Sequence, residues 1–561
     1  MKANKTIAIL SAISLSFVSA SNAVELSMAL AEDNNEAEVS LIDEVSEEFA
    51  IAAETPSQNV IISTGYENYG LGDVSVSDSD FYNVFDDIHD YSYDNSYSGT
   101  TVLNSIDLST TSYFPPIGNQ GGYGSCVSWA TTYYQFTYEA NKLNGITTTS
   151  SNAYSPAWMF NMLNGGTDSG STNQNAYWVL KHQGALKMSE VPYYPYNHDF
   201  SWSNNTEALV EALDTRLSSE NEYSLNTSTN PITSRFDTDL NEIKAVLCAG
   251  KIVNIEVASS GGLGNWHTKT ISYGGSTGDV AVCYATSSYA AGHAMTIVGY
   301  DDYVYCDMND DGLISANERG AFKVANSWGT GWCNSGYVWV MYDALNITST
   351  MSAVNVPGRI AIFDRSNGNN NKFYTIEVAN YNVNMVGLLD INVTRRYGLN
   401  IFTGRDSASN LDLIIDSTKT GGAHNNASFN GTIVVDYLDC DDNIMANLSK
   451  NWFVRVQNVS GVTQNSSFSY RIVDNKLNII KNFGTIANGI LDNSTVTTSR
   501  NIVFQKGDLN YDGLINSNDA LIIQKYDANM IELSNIQTVL GDMNEDGVIN
   551  LTDAVAILMG G

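Results

Sequence analysis

Apolar positions change rhythm several times along the chain, and each rhythm predicts a different kind of element. Lys2 and Lys5 precede an apolar run from Ile7 to Val18 and the small residues Ser21-Asn22-Ala23. That layout is a secretory signal peptide over 1–23, cleaved after Ala20 or Ala23, and the run is short for a membrane span. Residues 24–105 show helical periodicity around Val39, Ile42, Val45 and Phe49, then a Tyr-, Asp- and Ser-rich stretch from Tyr66 to Tyr97. Residues 106–350 mix helical and strand-like pieces, and one helical run opens at Cys126 and continues through Trp129, Ala130, Tyr133 and Tyr134. Over 354–499 β-branched and aromatic runs, such as Phe373–Val378, Gly387–Val393, Trp452–Val456 and Phe468–Val473, alternate with Asn and Gly clusters. Short strands with frequent turn residues predict a β-sandwich. Residues 505–561 hold two loop-plus-helix units.

Length agrees with several domains, since 561 residues exceed what one core organises. A net charge of −34 argues against nucleic acid or an anionic membrane as partner and fits an extracellular protein or one that binds hard cations. No later stretch approaches eighteen apolar residues, so no membrane span is expected. The 18 Asp and Glu of residues 24–105, with no Lys or Arg, read either as an acidic spacer or as a pro-segment covering a cleft. Six cysteines do not make a disulfide scaffold; if Cys126 stays reduced, five remain, and Cys306 with Cys333 is the favoured bridge.

A nucleophilic cysteine needs a base, a group that orients the base, and donors for the developing oxyanion. A helix N-terminus beneath the sulfur further favours the thiolate. Residues 118–130 read Gly-Asn-Gln-Gly-Gly-Tyr-Gly-Ser-Cys-Val-Ser-Trp-Ala, a glycine-rich loop leading into the helix at Cys126. Downstream stand Gly292-His293-Ala294-Met295-Thr296-Ile297-Val298-Gly299-Tyr300 and Phe322-Lys323-Val324-Ala325-Asn326-Ser327-Trp328-Gly329. In this order the three segments resemble the papain family of cysteine peptidases, which implies an α+β catalytic domain hydrolysing a protein or peptide substrate. The resemblance implies that Cys126 is the nucleophile, His293 the base, Asn326 its orienting partner and Gln120, six residues before Cys126, an oxyanion donor. It also places Gly170, Ser171, Ala294 and Trp328 about the substrate, with Trp328 shielding the His–Asn bond. Three departures stand out. Val127 replaces the family's Trp, Tyr123 replaces its disulfide-forming Cys, and the 167 residues from Cys126 to His293 exceed the usual spacing.

Calcium loops of the EF-hand type place oxygen donors at positions 1, 3, 5 and 12, a carbonyl at 7, and Gly at 6. One such loop supplies Asp508, Asn510, Asp512, Leu514 and Asp519, and a second supplies Asp542, Asn544, Asp546, Val548 and Asp553. They lie 34 residues apart, each leading into an apolar helix. This pair resembles a dockerin, which implies two structural Ca²⁺ and a cohesin domain of a scaffold protein as partner. By that resemblance the cohesin is read at Ser517 and Asn518 in one repeat and at Leu551 and Thr552 in the other, so one binding orientation is expected to be preferred. A third loop, Asp307, Asn309, Asp311, Leu313 and Glu318, lies between His293 and Asn326 and predicts one more Ca²⁺ in the catalytic domain.

The sequence thus reads as a multidomain chain: an α+β papain-like domain, a β-sandwich accessory domain and a small α dockerin with paired EF-hand-type loops. The expected function is a secreted endopeptidase working in an extracellular, cell-surface or cellulosome-type complex. An inactive papain-like binding protein and a transpeptidase stay open as alternatives.

Overall fold

The computed structural model describes residues 100–560 other than 165–167, 169, 226–232, 259–266, 274–275, 285–291, 310, 346–370, 421–426 and 437–448. The expected signal peptide, most of the acidic segment, Cys283 and Cys440 therefore lie outside the residues or side chains described.

A buried helix runs through the first body. It starts as α1 (Cys126–Ser128), widens into a π-helical stretch (Trp129–Phe136) and continues as α2 (Thr137–Asn144). Gly145, at φ 64°, stops it with the left-handed cap that favours glycine. Around it lie α3 (Pro156–Leu163), capped by Ser155 with Pro at the first turn, and α4 (Asn173–Gln183), capped by Thr172. Two further helices are α5 (Thr206–Ala212) and α6 (Thr233–Cys248).

Among the described residues nine strands join one sheet. They are β1 (Ser105–Asp107), β2 (Thr215–Leu225), β3 (Val253–Ala258), β4 (His267–Tyr273), β5 (Ser276–Tyr284), β6 (Gly292–Tyr305), β7 (Arg319–Ala325), β8 (Tyr337–Met341) and β9 (Asn371–Asn380). The path runs β2-β9-β3-β6-β4-β5-β8-β7, and β7 also pairs with β6, so the last five strands close on themselves. β6 is the hinge of this arrangement. Its first half is apolar with both faces covered, so it is buried without alternation.

The run Phe373–Val378 was expected in the β-sandwich. It instead forms β9, hydrogen-bonded between β2 and β3 in the nine-stranded sheet. Phe373, Tyr374, Thr375 and Ile376 are all buried, so this strand is covered on both faces, unlike the half-buried strand of a sandwich.

The remaining strands do alternate. Those of β10 (Met385–Val393), β13 (Phe429–Asp436), β15 (Gln464–Asp474) and β16 (Ile479–Ile490) make one antiparallel sheet. A second comprises β11 (Leu399–Arg405), β12 (Asp412–Ile415), β14 (Asn451–Asn458) and β17 (Ser494–Asn501). In β14 every second residue is buried, and Val454 and Val456 meet Ile391 and Ile472 from the facing sheet in one core. That core continues without a break into Trp158 of α3 and Tyr177 and Trp178 of α4.

The C-terminal unit has α7 (Ser517–Asp527), α8 (Asn535–Gly541) and α9 (Leu551–Leu558) around Leu509, Ala520, Ile523, Ile549, Ala554 and Ile557. Ile536 and Leu540 of α8 enter the sandwich core, and the Tyr511 hydroxyl donates to Asp474 Oδ2 at 2.8 Å. No helix among the described residues is long and apolar enough to cross a membrane.

Candidate active site

Cys126 is the first residue of its helix and is fully buried. Ser125 holds the N-cap position, yet its hydroxyl meets the Tyr193 hydroxyl at 2.7 Å and makes no cap hydrogen bond. No side-chain cap therefore covers the first turn of the helix at Cys126. The π-helical stretch that follows directly is a local widening of the kind that recurs at functional sites.

His293 sits on β6, next to Ala294, which packs in the same core as Cys126. Its Nε2–H donates to Asn326 Oδ1 at 2.8 Å, while Nδ1 is buried with no hydrogen-bond partner. One tautomer is therefore favoured: the proton on Nε2 and the lone pair on Nδ1. Burial pushes the imidazole down to about 4, opposed by the bond to Asn326. A lone cation in this place is costly. An imidazolium becomes favourable only with a compensating anion at its side, which is the circumstance a thiolate at Cys126 would provide.

Asn326 follows β7, and its Oδ1 also accepts the backbone N–H of Ser327 at 2.8 Å, which fixes the amide against rotation. The Trp328 ring lies 4.8 Å from the imidazole, centroid to centroid and tilted by 31°, and is 1% exposed, so water is kept from the His–Asn bond. Gln120 is fully buried. Its Oε1 accepts from Ser327 Oγ at 2.5 Å and its Nε2 donates to the Tyr123 carbonyl at 2.8 Å, so the orientation of the amide is set from both ends. Backbone bonds from Gln120 N to Ser327 O (2.7 Å) and from Gly329 N to Gly118 O (2.8 Å) tie the glutamine segment to the asparagine segment.

Of the residues assigned to substrate, Ala294 and Trp328 are packed away, Ser171 is nearly covered and Gly170 is half-buried. Asp168, two residues before Gly170, accepts the Gly124 N–H at 2.6 Å and links that segment to the nucleophile loop. Desolvation raises its carboxyl above the usual range. Ser327, Tyr193 and Asp168 were not singled out in the sequence. Ser327 and Tyr193 lie in recognisable motifs, yet nothing local shows that their hydroxyls meet Gln120 Oε1 and the Gln120 carbonyl.

The expected Cys306–Cys333 bridge is not formed. Cys333 is a thiol that burial pushes well up, and it packs against the core that holds Trp328 and Trp332.

The three acidic loops share one hydrogen-bond frame. In the loop at 307–318, Asp311 N donates to Asp307 Oδ1 (3.2 Å) and Asn309 Oδ1 (3.0 Å), Gly312 N to Asp307 Oδ2 (2.9 Å), and Met308 N to Glu318 Oε1 (2.7 Å). The loop at 508–519 repeats these bonds from Asp512, Gly513 and Leu509 at 3.1, 2.9, 2.9 and 2.9 Å. The loop at 542–553 does so from Asp546, Gly547 and Met543 at 3.2, 3.1, 2.9 and 2.9 Å. Gly312, Gly513 and Gly547 stand at φ 79°, 84° and 80°, the left-handed turn that position 6 requires. The position-12 carboxylates Glu318, Asp519 and Asp553 are all buried. Hard oxygen donors in this frame fit Ca²⁺.

The papain family of cysteine proteases matches residues 102–356, and the dockerin type I domain matches residues 506–558. Solved structures with similar chains include xylellain, a cysteine protease from Xylella fastidiosa, at 17% identity, covering 57% of this chain and 99% of that one (TM-score 0.37). The digestive procathepsin L2 proteinase from Tenebrio molitor larval midgut matches at 16% identity over 67% of this chain and 100% of its own (TM-score 0.35). Bromelain protease from Ananas comosus matches at 15% identity over 49% and 100% (TM-score 0.32). A search of curated proteins finds no match.

Proposed function

Since residues 102–356 belong to the papain family of cysteine proteases and residues 506–558 are a type I dockerin domain, we propose that the chain is a secreted cysteine endopeptidase carried on a cohesin-bearing scaffold. The observation that carries this reading is His293, held by Asn326 through Nε2 with its Nδ1 buried and without a hydrogen-bond partner, beside Ala294, which shares a core with Cys126.

Hydrolysis then proceeds in two halves. Nδ1 of His293 takes the Cys126 proton, and the thiolate attacks the peptide carbonyl. The Gln120 amide and the Cys126 backbone N–H donate to the oxyanion, and the imidazolium protonates the departing amine. Water, deprotonated by His293, then attacks the thioester and releases the acid and the thiol. Asn326 keeps the tautomer, and Trp328 keeps water off the bond that sets it.

In the dockerin, Asp508, Asn510, Asp512, Leu514 and Asp519 would hold one Ca²⁺, and Asp542, Asn544, Asp546, Val548 and Asp553 another. The third loop would hold one through Asp307, Asn309, Asp311, Leu313 and Glu318, bracing the connection between β6 and β7. The ions supply charge neutralisation and rigidity, no catalytic step. The two repeats present different faces to a cohesin. Leu551, Val555 and Leu558 of α9, with Met559 just after it, make an exposed apolar stripe, whereas α7 shows Ser517, Asn518, Leu521 and Tyr526. That asymmetry supports one preferred orientation, with α9 the stronger face.

Gln120→Ala tests the peptidase reading. Removing an oxyanion donor costs ~10²–10³ in kcat in comparable sites, and a loss of about that size is expected here, measured on a quenched fluorescent peptide. Unchanged turnover would remove Gln120 from the mechanism. No turnover in the parent chain would favour an inactive papain-like carrier.

A further inference from the structure

The nucleophile loop carries four glycines, Gly118, Gly121, Gly122 and Gly124, and so loses much backbone freedom on ordering. Its other residues include Tyr123, whose carbonyl holds the Gln120 amide. No disulfide is available at Tyr123, whose side chain adds an aromatic anchor to the bonds that Ser327, Tyr193 and Asp168 make to this loop. That ring sits in an aromatic cage, 5.5 Å from His198, 5.9 Å from Phe200 and 6.5 Å from Phe160 between centroids. The Tyr123 hydroxyl also accepts the His198 backbone N–H at 3.1 Å.

His198 is itself held from behind. Its Nε2 bonds Asn161 Oδ1 at 2.7 Å. The two amide hydrogens of Asn161 go to the carbonyls of Asp199 (2.8 Å) and Ser201 (2.9 Å), so its oxygen must face the imidazole. Asn161 lies in the last turn of α3, and its carbonyl accepts from Trp202 Nε1 at 2.7 Å. The remaining support comes from the β-sandwich. Arg396, just past β10 and 2% exposed, donates through one nitrogen to the carbonyls of Asn164 (2.7 Å) and Asn161 (3.3 Å). Its guanidinium lies 4.8 Å from the Trp202 ring centroid. A cation at a helix C-terminus is favourably placed, and one so deeply buried must be held in a single geometry to offset its desolvation.

We propose that the β-sandwich is a positioning element of the active site, acting through Arg396, Asn161, His198 and Tyr123 on the orientation of Gln120. None of these four touches the reacting atoms. The proposal rests on the peptidase reading for its catalytic consequence, but the mechanical link stands apart from it.

The test uses the full chain with Arg396→Met, which keeps the stem and removes the fork, and His198→Phe, which keeps the ring and cuts the bond to Asn161. Expected is a fall in kcat on a peptide amide of about tenfold for each, partly restored in Arg396→Lys. The double variant should be no worse than the lower single variant, because both cut one chain. Alkylation of Cys126 by iodoacetamide, which forms no oxyanion, should stay within about twofold of the parent. Amide hydrogen exchange of residues 118–125 should rise in both variants. Unchanged exchange and kcat, or a fall in alkylation that tracks kcat, would overturn the proposal. If the parent shows no hydrolysis while exchange still responds to Arg396→Met, the peptidase reading fails and the link survives.

Discussion

Replacing Cys126 by alanine should abolish peptide hydrolysis, lowering kcat by at least about four orders of magnitude. The substitution removes a single sulfur from a buried position at the start of a helix whose other residues are covered by the core. The hole is small and the packing around it dense, so the fold persists and the loss is chemical. His293→Ala should cost about as much, and combining the two should add little, because the thiol and imidazole act as one unit. Asn326→Ala should fall less far: the imidazole keeps its place on β6 under Trp328 but loses the acceptor that selects its tautomer. Steady-state turnover of the three variants against one peptide checks the order.

Removing Ca²⁺ should abolish cohesin binding and separately weaken hydrolysis. The dockerin core is small, and both repeats rely on a buried position-12 carboxylate whose charge is offset by backbone N–H groups and, when bound, by the ion. Asp508→Ala or Asp542→Ala should therefore reduce binding to a cohesin below detection while leaving hydrolysis intact. Glu318→Gln should do the reverse, lowering turnover severalfold and leaving cohesin binding alone, because this loop joins the strand of His293 to the strand that leads to Asn326. Chelation of the parent chain should show both effects. Hydrolysis indifferent to chelator would exclude a role for the third loop. Substituting the 551/552 pair should weaken cohesin binding more than substituting the 517/518 pair; equal losses would contradict a preferred orientation.

Much of this was legible in the chain itself. The Gln–Cys spacing, the histidine strand and the Asn-Ser-Trp segment are local patterns, and local patterns survive without knowledge of the fold. The acidic loops are more local still, since twelve consecutive residues contain every donor. What escaped depends on contacts between distant residues. Phe373–Val378 has the composition of a sandwich strand, and only its pairing with β2 and β3 puts it in the nine-stranded sheet. Tyr123 registers in the sequence merely as a missing cysteine, while its cage is assembled from residues 37 or more positions away. Arg396 gives no hint of its role, because its acceptors lie more than 230 residues upstream. Cys306 with Cys333 was the favoured bridge among five cysteines whose number and spacing carry no geometry, and both are free thiols.

The central claim is an activated pair, Cys126 with His293, and the rate of alkylation of Cys126 by iodoacetamide tests it most directly. In the parent chain Cys126 should react at near-neutral pH much faster than the other cysteines, and His293→Ala should bring that rate down to that of an ordinary buried thiol. Equal alkylation of Cys126 with and without His293 would show that no such pair exists.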